Sequence, residues 1–259
     1  MKGPLFYSKI LLFGEYGIIR DSKGLSIPYN FYNGALKKSE EPSAEAIASN
    51  ASLRRYTTYL DALQTEQPEL VTFDLLSLKN DVETGMYFDS SIPQGYGVGS
   101  SGALVAAIYD KYATDKITVL ENLTREKLLH LKNVFSQMES FFHGKSSGLD
   151  PLNSYLSIPI LINSKDNIEA TGIPTQSFDG KGAVFLLDSG IVGETAPMVN
   201  IFMENLKDKG FRAMLKNQFV KYTDACVENF LHGDMTSLFT NTKKLSKVVL
   251  NHFKPMIPE

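Results

Sequence analysis

Between Pro93 and Ala103 the chain reads Pro-Gln-Gly-Tyr-Gly-Val-Gly-Ser-Ser-Gly-Ala and runs directly into the apolar helical pattern Leu104-Val105-Ala106-Ala107-Ile108-Tyr109. Glycine tolerates positive φ and lets a ligand approach the main chain, so Gly95, Gly97 and Gly99 make a loop whose amides can turn inward. Ser100 to Ala103 then form the first turn of a helix, whose leading amides lack partners within the helix and carry partial positive charge. An anion, phosphate above all, is favoured there. Read alone, the same residues also fit a tight strand-to-helix turn with a serine cap.

The rest of the chain narrows the partners. It has 259 residues, 43% hydrophobic and 21% charged, enough for one large domain or two smaller ones with a sizeable core. Lys+Arg 26 against Asp+Glu 29 gives a net charge of −3 without a basic run long enough to track a phosphate backbone, so nucleic acid is not an expected partner. The lone Cys226 excludes an internal disulfide framework, and His130, His143, His232 and His252 lack the pairing of a zinc site. The apolar run Ile10-Leu11-Leu12-Phe13 is too short for a signal peptide, and no stretch approaches the roughly 18 apolar residues of a membrane span. A cytoplasmic protein without a membrane partner is expected.

Taken in order, Leu5 to Phe13 and Leu25 to Phe31 read as paired strands joined through a turn at Asp21-Ser22-Lys23-Gly24. Lys9 sits inside the first strand, where a cation is costly unless an anion meets it or the stem snorkels to water at an edge. A helix is expected from about Ala44 to Leu63, then strands over Val71 to Leu78 and Thr84 to Asp89, the latter leading into the glycine-rich loop. Leu128, Leu131, Val134 or Phe135, Met138, and Phe141 or Phe142 mark an amphipathic helix over Thr124 to Phe142 with Thr124 as cap. On it Glu139 lies only about 40–60° from Phe135 and Phe142, at the border of the buried stripe, and a carboxylate there wants a cation.

The turn-rich segment His143-Gly144-Lys145-Ser146-Ser147-Gly148-Leu149-Asp150-Pro151 follows. A residue before proline is pushed to extended backbone, so Asp150 is expected to open a strand or loop, and a plain turn aspartate would look the same. Ile158 to Ile162 and Gly182 to Asp188 read as strands; Pro197 to Leu206, Phe211 to Leu231 and Met235 to Phe253 read as helices. The fold class is therefore α+β.

A phosphate-cradling loop, two hydroxyls at its end, a helix-borne Glu139, Asp150 and a strand-borne Lys9 are the parts of phosphoryl transfer. One hydroxyl and one carboxylate suit Mg²⁺, which prefers hard oxygen ligands; a second carboxylate can take the acceptor's proton, and a lysine can neutralise developing charge. At these residues the chain resembles the GHMP kinases. The stretch Pro93 to Ala103 is similar to their PxxxGLGSSAA phosphate loop, with Val98 for Leu and Gly102 for the first Ala. Within that superfamily it looks most like the mevalonate kinases: Ser8-Lys9-Ile10-Leu11-Leu12-Phe13-Gly14-Glu15-Tyr16 is similar to GKVILFGEH, and Glu139 with His143 to Asp150 to an E…HGxPSGxD run.

The resemblance implies an ATP-dependent kinase of a small-molecule alcohol, mevalonate first, in isoprenoid biosynthesis, with ATP and Mg²⁺ as cofactors. It implies that Lys9 and Asp150 flank the acceptor hydroxyl, that Ser101 and Glu139 hold Mg²⁺, and that Gly95, Gly97, Val98, Gly99, Ser100, Ser101 and Gly102 hold the nucleotide phosphates. Glu15, Tyr16 and Thr195 stand where substrate contacts are implied, with Tyr16 in place of the usual histidine. It also implies two lobes, residues 1–155 binding ATP and a helix-rich 156–259; a homodimer is left open. The second lobe reads as incomplete, because the glycine-rich GAGGGG motif that closes related kinases has no counterpart before Glu259. A phosphomevalonate or sugar kinase, or a non-catalytic nucleotide- or ligand-binding protein of the same fold, are the alternatives.

Overall fold

The computed structural model describes residues 4–118, 122–174, 186–188, 190, 192–193 and 195–257, the side chains of Thr195 and Ala196 excepted. The chain divides into two compact units. The first comprises the chain through Ile10, Ile27–Pro93 and Val98–Ile158, and the second Leu11–Ser26, Gln94–Gly97 and the chain from Pro159 on.

The first unit draws on strands β1 (Phe6–Phe13) and β2 (Gly24–Lys37), then holds helices α1 (Ala44–Glu66) and α2 (Leu75–Glu83), strand β3 (Tyr87–Ser90) and helices α3 (Ser100–Tyr112), α4 (Arg125–His143) and α5 (Leu149–Leu156). β3 pairs antiparallel with the end of β2, Gly34 opposite Ser90 and Lys37 opposite Tyr87. Helix starts follow their caps: Ser43 accepts from the Ala46 amide at 3.2 Å and Thr124 from the Lys127 amide at 3.4 Å. Of the residues expected to form a strand from Val71 to Leu78, Leu75 to Leu78 instead open α2. Asp74 caps it by accepting from the Ser77 amide at 3.0 Å, and Leu78 and Val82 are buried at helical spacing, so only Phe73 keeps an isolated bridge, to Ala113.

α3, α4 and α5 are packed together by apolar burial. Val105, Ile108, Leu128, Leu131, Phe135 and Leu152 are essentially inaccessible to water. Tyr109 of α3, Phe135 of α4 and Tyr155 of α5 meet edge to face, with centroids 5.0, 5.1 and 5.6 Å apart. The start of α5 presses on α4 through Gly148, whose φ is +73° and where an added Cβ would lie 2.1 Å from the Lys132 carbonyl oxygen. Asp150, expected to open a strand or loop, lies in the first turn of α5. Proline is compatible with that turn because its missing N–H has no partner inside the helix, and a carboxylate near a helix N-terminus is favoured.

In the second unit, β2 begins with Gly24, Leu25 and Ser26 antiparallel to Ile162, Leu161 and Ile160 of β4 (Ile160–Ser164), which forms a hairpin with β5 (Asn167–Ala170). α6 (Thr195–Asn205), α7 (Lys209–Met214), a π-helical turn (Leu215–Val220), α8 (Lys221–Leu231) and α9 (Met235–His252) follow. Phe202, Met214, Leu215, Phe219, Val248, Phe253 and Met256 form its core, against which Tyr16 packs. The strand expected over Gly182 to Asp188 lies outside the described residues up to 185, and 186–188 are irregular. No described helix is long and apolar enough to cross a membrane.

Gly148→Ala forces a side chain into a left-handed backbone and against the main chain of α4. It should lower the unfolding free energy by about 2 kcal/mol or more, read as a lower urea midpoint at unchanged slope.

Candidate active site

Four segments of the first unit bring the charged residues together. Lys9, in mid-strand on β1, is 7% exposed. Its backbone N–H donates to the Val98 carbonyl at 3.0 Å, tying the strand to the end of the glycine-rich loop, and its ammonium lies 3.0 Å from Asp150 Oδ1. Asp150 is the more open partner, its side chain 36% exposed.

Gly99 is the N-cap of α3, with φ +84° and no side chain to offer the leading amides of the helix. A Cβ there would lie 3.0 Å from Lys9 Cγ, so the loop end and the lysine stem lie against each other. Three residues on, Gly102 faces the first turn of α5: a Cβ would meet the Asp150 carbonyl carbon at 2.7 Å and the Pro151 nitrogen at 2.8 Å. The alanine-to-glycine departure in the loop motif therefore coincides with main-chain contact between α3 and the segment that carries Asp150.

Glu139 is 3% exposed on α4. Ser101 Oγ donates to its Oε1 at 2.9 Å and Ser146 Oγ donates to its Oε2. His143 Nε2 lies 3.0 Å from the same Ser101 oxygen. Burial raises the Glu139 carboxyl to about pH 7, with the Asp150 charge adding to the rise and the two serine hydroxyls and Lys9 opposing it. Neither Ser146 nor His143 is a site candidate on the sequence pattern. For His143 a signal was available, since it follows Glu139 by one helical turn.

The remaining candidates lie in the second unit. Gly95 and Gly97 have φ of +80° and +69°; the Gly95 carbonyl accepts from the Gly193 amide at 2.9 Å. Tyr16, itself at φ +59°, stacks on Phe202 and Phe253 with centroids 5.5 and 6.2 Å apart. Burial, then the neighbouring Glu15 charge, pushes its hydroxyl pKa up. Thr195 begins α6. Among the described residues no group of three or more His, Cys, Asp or Glu could hold a metal by itself.

Residues 68–157 match the family described as the GHMP kinases N terminal domain, a span that contains the loop, Glu139 and Asp150. The fold is that of the GHMP kinases. The Methanococcus jannaschii mevalonate kinase superposes with a TM-score of 0.51 at 15% identity, over 96% of this chain and 80% of its own. A second mevalonate kinase gives 0.50 at 15% identity, over 94% and 79%. The Lin0012 protein from Listeria innocua gives 0.54 at 16% identity, over 95% and 77%. A search of curated proteins by sequence finds no match. In this GHMP fold the matched segment and β1 supply the ion pair and the buried carboxylate.

Folded, Glu139 keeps its proton up to about pH 7; unfolded, it releases it near the ordinary 4.5. The native state therefore holds the extra proton in that window, and stability falls as pH rises through it. In metal-free buffer, wild type should lose more unfolding free energy between about pH 5 and pH 8 than Glu139→Gln, measured by urea titration; equal pH slopes would contradict the assignment.

Proposed function

We propose that this chain transfers the terminal phosphoryl group of ATP to a hydroxyl of a small molecule, mevalonate being the acceptor we favour. The observation that carries the reading is the Lys9–Asp150 ion pair, 3.0 Å long, in the same packing unit as an uncapped helix N-terminus at Gly99 and the buried carboxylate Glu139. The choice of mevalonate is supported by the N-terminal and Glu139-to-Asp150 resemblances and by two structural neighbours that are mevalonate kinases.

In this reading the leading amides of α3, with the loop from Gly95 to Ser101 before them, hold the nucleotide phosphates. Asp150 accepts the proton of the acceptor hydroxyl as its oxygen attacks the γ-phosphorus and the bond to the ADP oxygen breaks. Lys9 orients Asp150 and neutralises charge at the acceptor oxygen. Glu15, Tyr16 and Thr195 are proposed to contribute to recognition of the acceptor.

Mg²⁺ fits the residues present. Ser101 Oγ and Glu139 Oε1 are 2.9 Å apart, which is about the edge of an octahedron with metal–oxygen bonds of about 2.0–2.1 Å. Burial that raises the Glu139 pKa is relieved by a cation as well as by a proton. Ser101 and Glu139 would hold the ion, which when bound neutralises phosphate charge.

Asp150→Asn keeps the side-chain volume and removes the base. With mevalonate as acceptor and ADP release as readout, kcat should fall by roughly 10²–10⁴-fold, while calorimetry shows ATP·Mg²⁺ affinity within about two-fold of wild type. Near wild-type turnover in this variant would sink the mechanism. Nucleotide binding without turnover across a panel of alcohols would favour a ligand-binding role.

A further inference from the structure

The proposed site leaves Ser146 without a task, although its hydroxyl is bonded to the buried carboxylate that the site depends on. A glutamate's terminal torsion is broad and nearly two-fold, so burial of the stem does not by itself choose which oxygen faces the nucleotide side. On Glu139 the choice is made by donors: Ser101 takes Oε1 and Ser146 takes Oε2. Ser146 is itself fixed by two further hydrogen bonds. Its carbonyl accepts from Ser136 Oγ at 2.6 Å, and its Oγ accepts the Gly148 amide at 3.0 Å. A serine hydroxyl has one proton, and with the Gly148 N–H directed at an Oγ lone pair that proton is left for Glu139. The result is a directed chain, Gly148 N–H to Ser146 O–H to Glu139 Oε2, in which each bond polarises the next.

From this geometry we propose that Ser146 is the positioning residue for Glu139. It pins the far carboxylate oxygen so that Oε1 stays beside Ser101 Oγ, ready for a divalent cation bound with nucleotide. The hydroxyl occupies the position that is proline in the HGxPSGxD pattern, so the device belongs to this sequence and not to the pattern. The same serine accepts the amide of Gly148, the N-cap of α5 two residues before Asp150, so one side chain is bonded both to the carboxylate at the proposed metal position and to the residue that opens the helix carrying the proposed base. The proposal rests on the kinase reading only in taking Glu139 as a cation ligand.

The test uses the whole chain with ADP and Mn²⁺ as a spectroscopic substitute for Mg²⁺, free and bound Mn²⁺ being counted by electron paramagnetic resonance. Groups that hold a ligating side chain from behind are worth about 10–100-fold in metal affinity. Ser146→Ala should weaken Mn²⁺ binding in the ADP complex by about that factor, leave ADP affinity in EDTA unchanged, and be largely reversed in Ser146→Thr. Unchanged Mn²⁺ affinity in Ser146→Ala, with loss in Glu139→Gln, would overturn the role of Ser146 while leaving the metal site standing. Unchanged affinity in both variants would overturn the metal assignment too. Parallel loss of Mn²⁺ affinity and of metal-free ADP affinity in Ser146→Ala would reduce Ser146 to a structural turn residue and overturn the proposal.

Discussion

A buried excess of negative charge governs this structure. Lys9 and Glu139 are 7% and 3% exposed, and Asp150 reaches the same neighbourhood from α5. With both carboxylates ionised the three groups sum to one negative charge, with Asp150 partly screened by water and Lys9 and Glu139 hardly at all. Lys9 lies in direct contact with Asp150, and Glu139 is left with hydroxyl donors on both oxygens. Hydroxyls satisfy hydrogen-bond geometry without supplying charge, so the carboxyl responds by holding its proton to about pH 7. A proton or a cation removes the excess, and in the proposed kinase reading a nucleotide–metal complex would bring the cation. An arrangement costly in the free protein is thus suited to a ligand that carries positive charge to one defined oxygen pair.

Such groups keep their places only on a stiff support. The edge-to-face contacts of Tyr109, Phe135 and Tyr155 join α3, α4 and α5, which carry Ser101, Glu139 and Asp150 respectively. Two glycines then let the backbones come closer than side chains permit. Gly148 seats the start of α5 on α4, and Gly102 seats the Asp150 turn on α3. Even one methyl at either position would meet main-chain atoms below 3.0 Å. Distances between site residues are therefore set by backbone contacts that cannot yield by a rotamer change.

What could be read beforehand followed from strong periodicity and unusual composition. The alternating glycines before an apolar run placed the start of α3, and the 3-4 spacing with a threonine cap placed α4 and put Glu139 at the edge of its buried stripe. Local signals that compete were less legible. Asp74 capping won over the β-rich look of Val71 to Leu78, and helix initiation at Gly148 won over the extended bias of a residue before proline. The hydrogen bonds of Ser146 and the stacking of Tyr16 were not legible, because a serine in a turn and an aromatic after Gly-Glu acquire partners only in three dimensions. Tyr16 meets Phe202 and Phe253 from segments far along the chain, and no periodicity records that encounter.

Two of the departures from the related motifs, at 102 and 146, bear on the same turn of α5. Glycine at 102 removes a methyl from the loop side, which lets the Asp150 main chain approach α3 directly. Serine at 146 adds a hydroxyl on the turn side, which reaches back to Glu139 and also receives the Gly148 amide that starts α5. Restoring alanine at 102 alone would push the α5 turn away from α3, and the Ser146 hydroxyl, tied to that turn through Gly148, would be drawn off the carboxylate. Loop and turn have to be treated as one unit in any substitution that aims at the proposed metal position or the proposed base.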